Sequence, residues 1–220
     1  MTPRFLTSEA EERLSALARK ILDADGSCHD WDHTLRVKRT ALKLGAQENA
    51  DLEVVAAAAI LHDIARPQEM ADQGKTDHAA LGAIQASEIL TREGIGDEDF
   101  RQQVAHCIRA HRFRSRTGEA PATKEAKVLY DADKLDSLGA IGLARAFHFA
   151  GKTGARVHNT PEEALSGHSY GREDSALREF LVKLRFLPQR LLTAAGRELG
   201  AERLAFMHEF FARLDRECES

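Results

Sequence analysis

The sequence predicts an all-α protein, a single-domain helical bundle of about seven or eight helices. Three observations carry that reading. Apolar residues recur at helical spacing along most of the chain, as in Leu14, Leu17, Ala18, Ile21 and Leu22. No segment sustains the alternation of a half-buried strand. Acidic or hydroxyl residues precede the apolar runs and glycine or proline follows them, where helices start and stop. With 220 residues, 43% of them hydrophobic and 30% charged, the chain can build one sizeable core. The expected organisation is one domain over residues 1–220, with its core in 29–150 and C-terminal helices in 172–218 packing on it.

In order, a first helix should follow a capping box of Ser8 and Glu11 and stop near Asp25-Gly26. A second covers roughly Trp31 to Leu44. A third starts from Asp51 as N-cap, runs through the wholly apolar Val54–Leu61 and ends before Arg66-Pro67, where proline forbids continuation. That places His62 and Asp63 in its last turn. "DHAALGAIQASEILTREG" reads as a fourth helix stopped by Gly94, and "DEDFRQQVAHCIRAHRF" as a fifth with acidic residues in its first turn. "RSRTGEAPAT" is a loop. From Lys124 to about Phe149 the pattern is one long helix, in which Gly139 and Gly142 suggest close helix packing. A polar stretch from Gly151 to Gly171 leads to two last helices, "EDSALREFLVKLRFL" and "AERLAFMHEFFARLDREC".

Composition excludes several function classes. With 31 basic against 35 acidic residues and a net charge of -4, the chain lacks the basic excess that coating duplex DNA requires. The apolar run Val54–Leu61 is far shorter than the ~18 residues of a membrane span, and the N-terminus turns acidic at once instead of forming a signal sequence. Three widely spaced cysteines, Cys28, Cys107 and Cys218, with no CxxC, suggest neither a disulfide framework nor a zinc-thiolate site. A cytoplasmic protein with no membrane partner is expected.

The stretch "AAAAILHDIARP" ends an apolar helix on two potential metal ligands, His62 and Asp63. His33 lies in the preceding amphipathic helix and Asp133 in the long central one, so four candidate ligands come from three helices. Imidazole nitrogen with carboxylate oxygen suits a divalent cation: manganese, cobalt, iron, nickel, zinc or magnesium. Facing helices of a bundle are a common frame for such a site. A second His-Asp pair, His29-Asp30, falls on a loop and shows that the dipeptide alone says little.

The ordered motifs "HDWDHTLRV", "LHDIARP", "DHAALGA" and "DADKLDSLGAIGLARAF" resemble the HD superfamily of metal-dependent phosphohydrolases, whose pattern is H…HD…D. The resemblance extends through the tail "FLVKLRFLPQRLLTAAGRELGAERLAFMHEFF" and is narrower with the bacterial single-domain subgroup that includes nucleotide pyrophosphohydrolases. It implies the HD-domain fold and a metal held by His33, His62, Asp63 and Asp133. Asp131 and Asp136 compete with Asp133; in a helix Asp131 faces elsewhere, whereas Asp136 is close to the same face and reads as a contact to a metal ligand or to the substrate. His78 and His111 resemble in spacing the extra ligands of dinuclear members. They could instead bind or protonate a phosphate. His106 is left to structure.

The resemblance implies a small phosphorylated substrate, a nucleotide, cleaved from triphosphate to monophosphate and pyrophosphate by a metal-activated water. Asp63 could orient or deprotonate that water, and His111 and His78 are the other candidate catalytic groups. Candidate phosphate partners are Arg66, Lys134, Arg145 and Lys183, with the run Arg109, Arg112, Arg114 and Arg116 beside them. Trp31 could stack a base or anchor the core. The rival readings are an HD-type di-iron oxygenase, which needs His78 and His111 as second-metal ligands, and a non-catalytic nucleotide-sensing module.

Overall fold

The computed structural model describes residues 5–23, 30–112 and 119–219. Among them are eleven α-helices, two short 3-10 turns and no strand. They fall into two compact units, Met1–Asp133 and Lys134–Ser220.

The first unit is organised around α3 (Leu52–Leu61), in which every residue from Val54 to Leu61 is buried. Asp51 caps its start, its carboxylate accepting the Glu53 and Val54 amides. Helices α1 (Ser8–Leu22), α2 (Trp31–Glu48) and α6 (Glu98–Ala110) pack on it, and α5 (His78–Arg92) lies against α6. The alanines of α3 let these neighbours approach closely, and Gly45 of α2 shows how closely, since a Cβ there would stand 2.9 Å from Leu52 Cδ2. Trp31 is buried as the first residue of α2, which makes it a core anchor.

Several boundaries differ from expectation, each for a local reason. The cap of α1 is Thr7, one residue before Ser8, so the third helical position is Ala10 and no capping box forms. The helix ends at Leu22; Asp25-Gly26 lies outside the described residues. Helix α2 continues to Glu48 because Asn49 takes the left-handed conformation, φ 54°, that ends a helix. Helix α3 ends at Leu61, leaving His62 as its C-cap and Asp63 beyond it, in a turn closed by Arg66 N–H on the Asp63 carbonyl at 2.8 Å. Pro67 opens the short α4 (Arg66–Ala71), where its missing N–H is of no consequence.

The expected long helix over 124–149 is two helices, α7 (Lys124–Leu135) and α8 (Gly139–Lys152). Ser137 and Leu138 bond back to the Lys134 and Leu135 carbonyls, and Gly139 then takes φ +71°. Gly142 is required by the same turn, because a Cβ there would stand 2.3 Å from the Ser137 carbonyl oxygen. Periodicity alone cannot register a break that keeps the apolar spacing on both sides.

In the second unit α8 packs on α10 (Ala176–Val182) and α11 (Ala194–Glu219). Phe180 and Phe211 meet at 4.8 Å between ring centres. Helix α10 is shorter than expected because Lys183, φ -139°, breaks it before the 3-10 turns Leu184–Phe186 and Pro188–Arg190. The stretch 151–171 contains α9 (Pro161–Ser166), held by a capping box of Thr160 and Glu163. No helix among the described residues is long and apolar enough to cross a membrane.

Candidate metal centre

Two histidines stand at helix starts and two at helix ends. His33 lies in the first turn of α2, its amide bonded to the carboxylate of the N-cap Asp30 at 2.9 Å. His78 is the first residue of α5, behind the N-cap Asp77. His62 and His111 are the C-caps of α3 and α6. All four are buried, as is Asp63, while the Asp133 side chain near the end of α7 keeps 17% of its surface exposed.

These residues converge in two groups, His33 with His62 and Asp133, and Asp63 with His78 and His111. Within each, the candidate ligand atoms all lie within 4.8 Å of one another. Asp63 joins them. Its Oδ2 is 3.7 Å from His33 Nε2 and 3.5 Å from His62 Nε2, and its Oδ1 is 3.3 Å from His78 Nε2 and 3.6 Å from His111 Nε2. Asp133 Oδ1 is 3.6 Å from His33 Nε2.

The protons can be placed. His62 Nδ1 donates to the Ala59 carbonyl at 2.8 Å and His111 Nδ1 to the Ile108 carbonyl at 2.6 Å. A carbonyl only accepts, so each ring carries its proton on Nδ1 and turns the lone pair of Nε2 inward. His78 Nδ1 donates to Glu69 Oε2 at 2.9 Å, with the same result. Lone pairs therefore converge at His78 Nε2 and His111 Nε2, 3.2 Å apart, and the lone pair of His62 Nε2 faces His33 Nε2 at 3.4 Å. Burial pushes the His62 pKa down against the pull of Asp63, which favours the neutral, ligating ring. The donor set fits a divalent cation: imidazole nitrogens and carboxylate oxygens, with the outer nitrogens of His62, His78 and His111 held by carbonyl or carboxylate partners.

An HD domain profile matches residues 30–138, which include His33, His62, Asp63 and Asp133. YpgQ of Bacillus subtilis is 35% identical over 208 residues, 94% of this chain and 92% of YpgQ. The chain belongs to the HD domain family. The crystal structure of YpgQ in complex with ADP matches with a TM-score of 0.69 and 31% identity over 94% of each chain. An HD-superfamily hydrolase from Bacillus thuringiensis matches with a TM-score of 0.74 and 29% identity, over 96% of this chain and 98% of that one. As an HD-superfamily hydrolase the protein is a metal-dependent phosphohydrolase, with a divalent metal as cofactor.

The remaining candidates are placed as follows. Arg66 begins α4, its Nε 3.8 Å from Asp63 Oδ1. Asp131 is fully buried in α7. Asp136 does not share a helix face with Asp133, because α7 has ended; its carboxylate accepts from Arg145 NH1 at 2.7 Å within the second unit. Lys134 is half-buried at the last turn of α7, and Lys183 is ion-paired with Glu179 at 2.5 Å. His106 bonds Glu119 and accepts from the Ala122 amide at 3.2 Å, a structural role. Arg109 pairs with the same Glu119 at 2.7 Å. His29, Arg114 and Arg116 lie outside the described residues. Sequence reasoning missed Glu69, the one buried residue of α4.

Proposed function

We propose that this HD hydrolase acts on nucleotides, cleaving a nucleoside triphosphate to the monophosphate and pyrophosphate. The observation that carries it is the Asp63 carboxylate, one oxygen facing His33 and His62 and the other His78 and His111. A nucleotide is favoured because the similar YpgQ has been crystallised with ADP. His33, His62, Asp63 and Asp133 would hold the divalent ion. When bound, that ion supplies Lewis acidity toward a phosphoryl oxygen and lowers the pKa of water in its coordination sphere.

The chain's own residues supply the rest. Asp63 orients the attacking water and accepts its proton. The Nε2 lone pair of His78, 3.3 Å from Asp63 Oδ1, takes that proton on and, with His111 Nε2 3.2 Å away, delivers it to the leaving pyrophosphate. Arg66, beside Asp63, neutralises phosphate charge. No cysteine or serine nucleophile is needed. A panel of nucleotides, with phosphate and pyrophosphate assayed separately, tests the reading; phosphate without pyrophosphate from every triphosphate would overturn the bond assignment.

A second reading of Asp63, His78 and His111 is a second cation, favoured by the same convergence of lone pairs. Metal stoichiometry separates the two, and iron content with oxygen uptake checks for oxygenase chemistry.

A further inference from the structure

Glu69 stands where an unmatched carboxylate would be costly. It is only 4% exposed, and burying a charge is unfavourable unless partners meet it. Three groups from three segments do so. Arg66, three residues earlier in α4, brings NH1 onto Oε2, and Arg112, just beyond α6, brings NH1 onto Oε1. His78, at the start of α5, donates Nδ1–H to Oε2. The two NH1 atoms lie 3.5 and 3.3 Å from His78 Nδ1, so both guanidiniums stand beside the Asp63, His78 and His111 group.

Two guanidiniums meet on this one carboxylate, and Asp63, 3.8 Å from Arg66 Nε, supplies a second negative charge. Asp77 is 3.6 Å from Arg112 NH1 but is itself largely exposed and engaged in capping α5, so it adds little to the balance. Left to themselves, two adjacent guanidiniums repel and separate; Glu69 keeps them together beside the candidate metal ligands. The Arg66 and Arg112 side chains retain 14% and 25% of their surface, sheltered but open to a ligand. Paired planar forks match the oxygens of a phosphate tail.

We propose that Glu69 is a positioning residue that holds Arg66 and Arg112 as a two-guanidinium clamp for the substrate's phosphate tail, which makes Arg112 a further substrate-binding residue. The clamp rests on the phosphohydrolase reading above and deepens it: the preferred substrate carries at least two phosphates.

Inorganic pyrophosphate is the probe. Its Kd on the metal-loaded protein should rise about tenfold in Arg112→Gln and in Glu69→Gln, the loss of roughly one charge-assisted hydrogen bond. KM for a nucleoside triphosphate should rise in parallel in Arg112→Gln, with kcat changed by less than about threefold, as expected when binding common to ground and transition states is removed; Glu69→Gln, which also loses the acceptor of His78 Nδ1–H, should lower kcat as well. Arg112→Lys should recover part of the affinity, whereas a packing role would give no such order. If pyrophosphate binds Arg112→Gln as it binds the wild type, or does not bind the wild type, the clamp is wrong; the Arg112 variant keeps this decisive should Glu69→Gln fail to fold. Pyrophosphate binding that depends on the clamp without turnover of any nucleotide would sink the functional reading and leave the clamp standing.

Discussion

The two ligand groups are built by the same local device and differ in what stands behind them. Each pairs a histidine from a helix start with a histidine from a helix end, His33 with His62 and His78 with His111. Each helix-end ring is tethered to a carbonyl three residues back, Ala59 for His62 and Ile108 for His111. Behind His78 lies the Glu69 ion-pair hub, whereas the first group instead gains the carboxylate of Asp133. One side thus has an extra anionic donor suited to a cation. The other has two arginines held on one buried carboxylate, suited to an anion. Similar imidazole geometry can serve both purposes, and the charge of the next residue outward decides which.

The comparison breaks most completely at the shared residue. Asp63→Asn should lower kcat/KM roughly a thousandfold or more and strip bound metal, because it removes an anionic ligand and the group that handles the water. Circular dichroism of a folded variant with near-normal turnover would refute the site. Next in size is Asp133→Asn, which should empty the first group while His78→Ala and His111→Ala keep about one metal per chain and lose turnover instead. Elemental analysis beside kinetics reads this directly; half the metal lost in either histidine variant would mean a second cation. Asp131→Asn and Asp136→Asn should retain metal, since the break after Leu135 turns Asp136 toward Arg145. The smallest effect is on stability. Asp30→Ala and Asp77→Ala remove the caps of the two histidine-bearing helix starts, and each should cost about 1 kcal/mol, visible as a lowered Tm.

The six converging residues were all legible in the sequence, because a histidine beside an aspartate at the end of an apolar helix is chemically conspicuous and the ordered motifs supplied the rest. Glu69 was not. On a six-residue helix rich in charge and proline, nothing in local pattern marks one carboxylate as buried, and its partners come from other segments. The all-α class followed from periodicity, and the helix count is slightly higher than expected because short helices and a broken long one add to it. The turn at 136–138 depends on the positive φ of Gly139 and the absence of a side chain at Gly142, neither of which disturbs the apolar spacing. The reading of Ser8 as a cap failed for a smaller reason: Thr7 offers the same hydroxyl one residue earlier.

The burial of α3 bears on how the protein should respond to chelators. His62 closes a helix whose eight preceding residues are all sealed in the core, and its ring is tied back to that helix through Ala59. The packing that fixes this ligand is burial of apolar side chains, in contrast to zinc fingers, whose folding is driven by the metal itself. Treatment with a chelator should therefore yield a folded, inactive protein with little change in helical signal. Activity should return on adding back a divalent ion, and the same apoprotein should accept different ions in turn, so that one preparation serves to rank them.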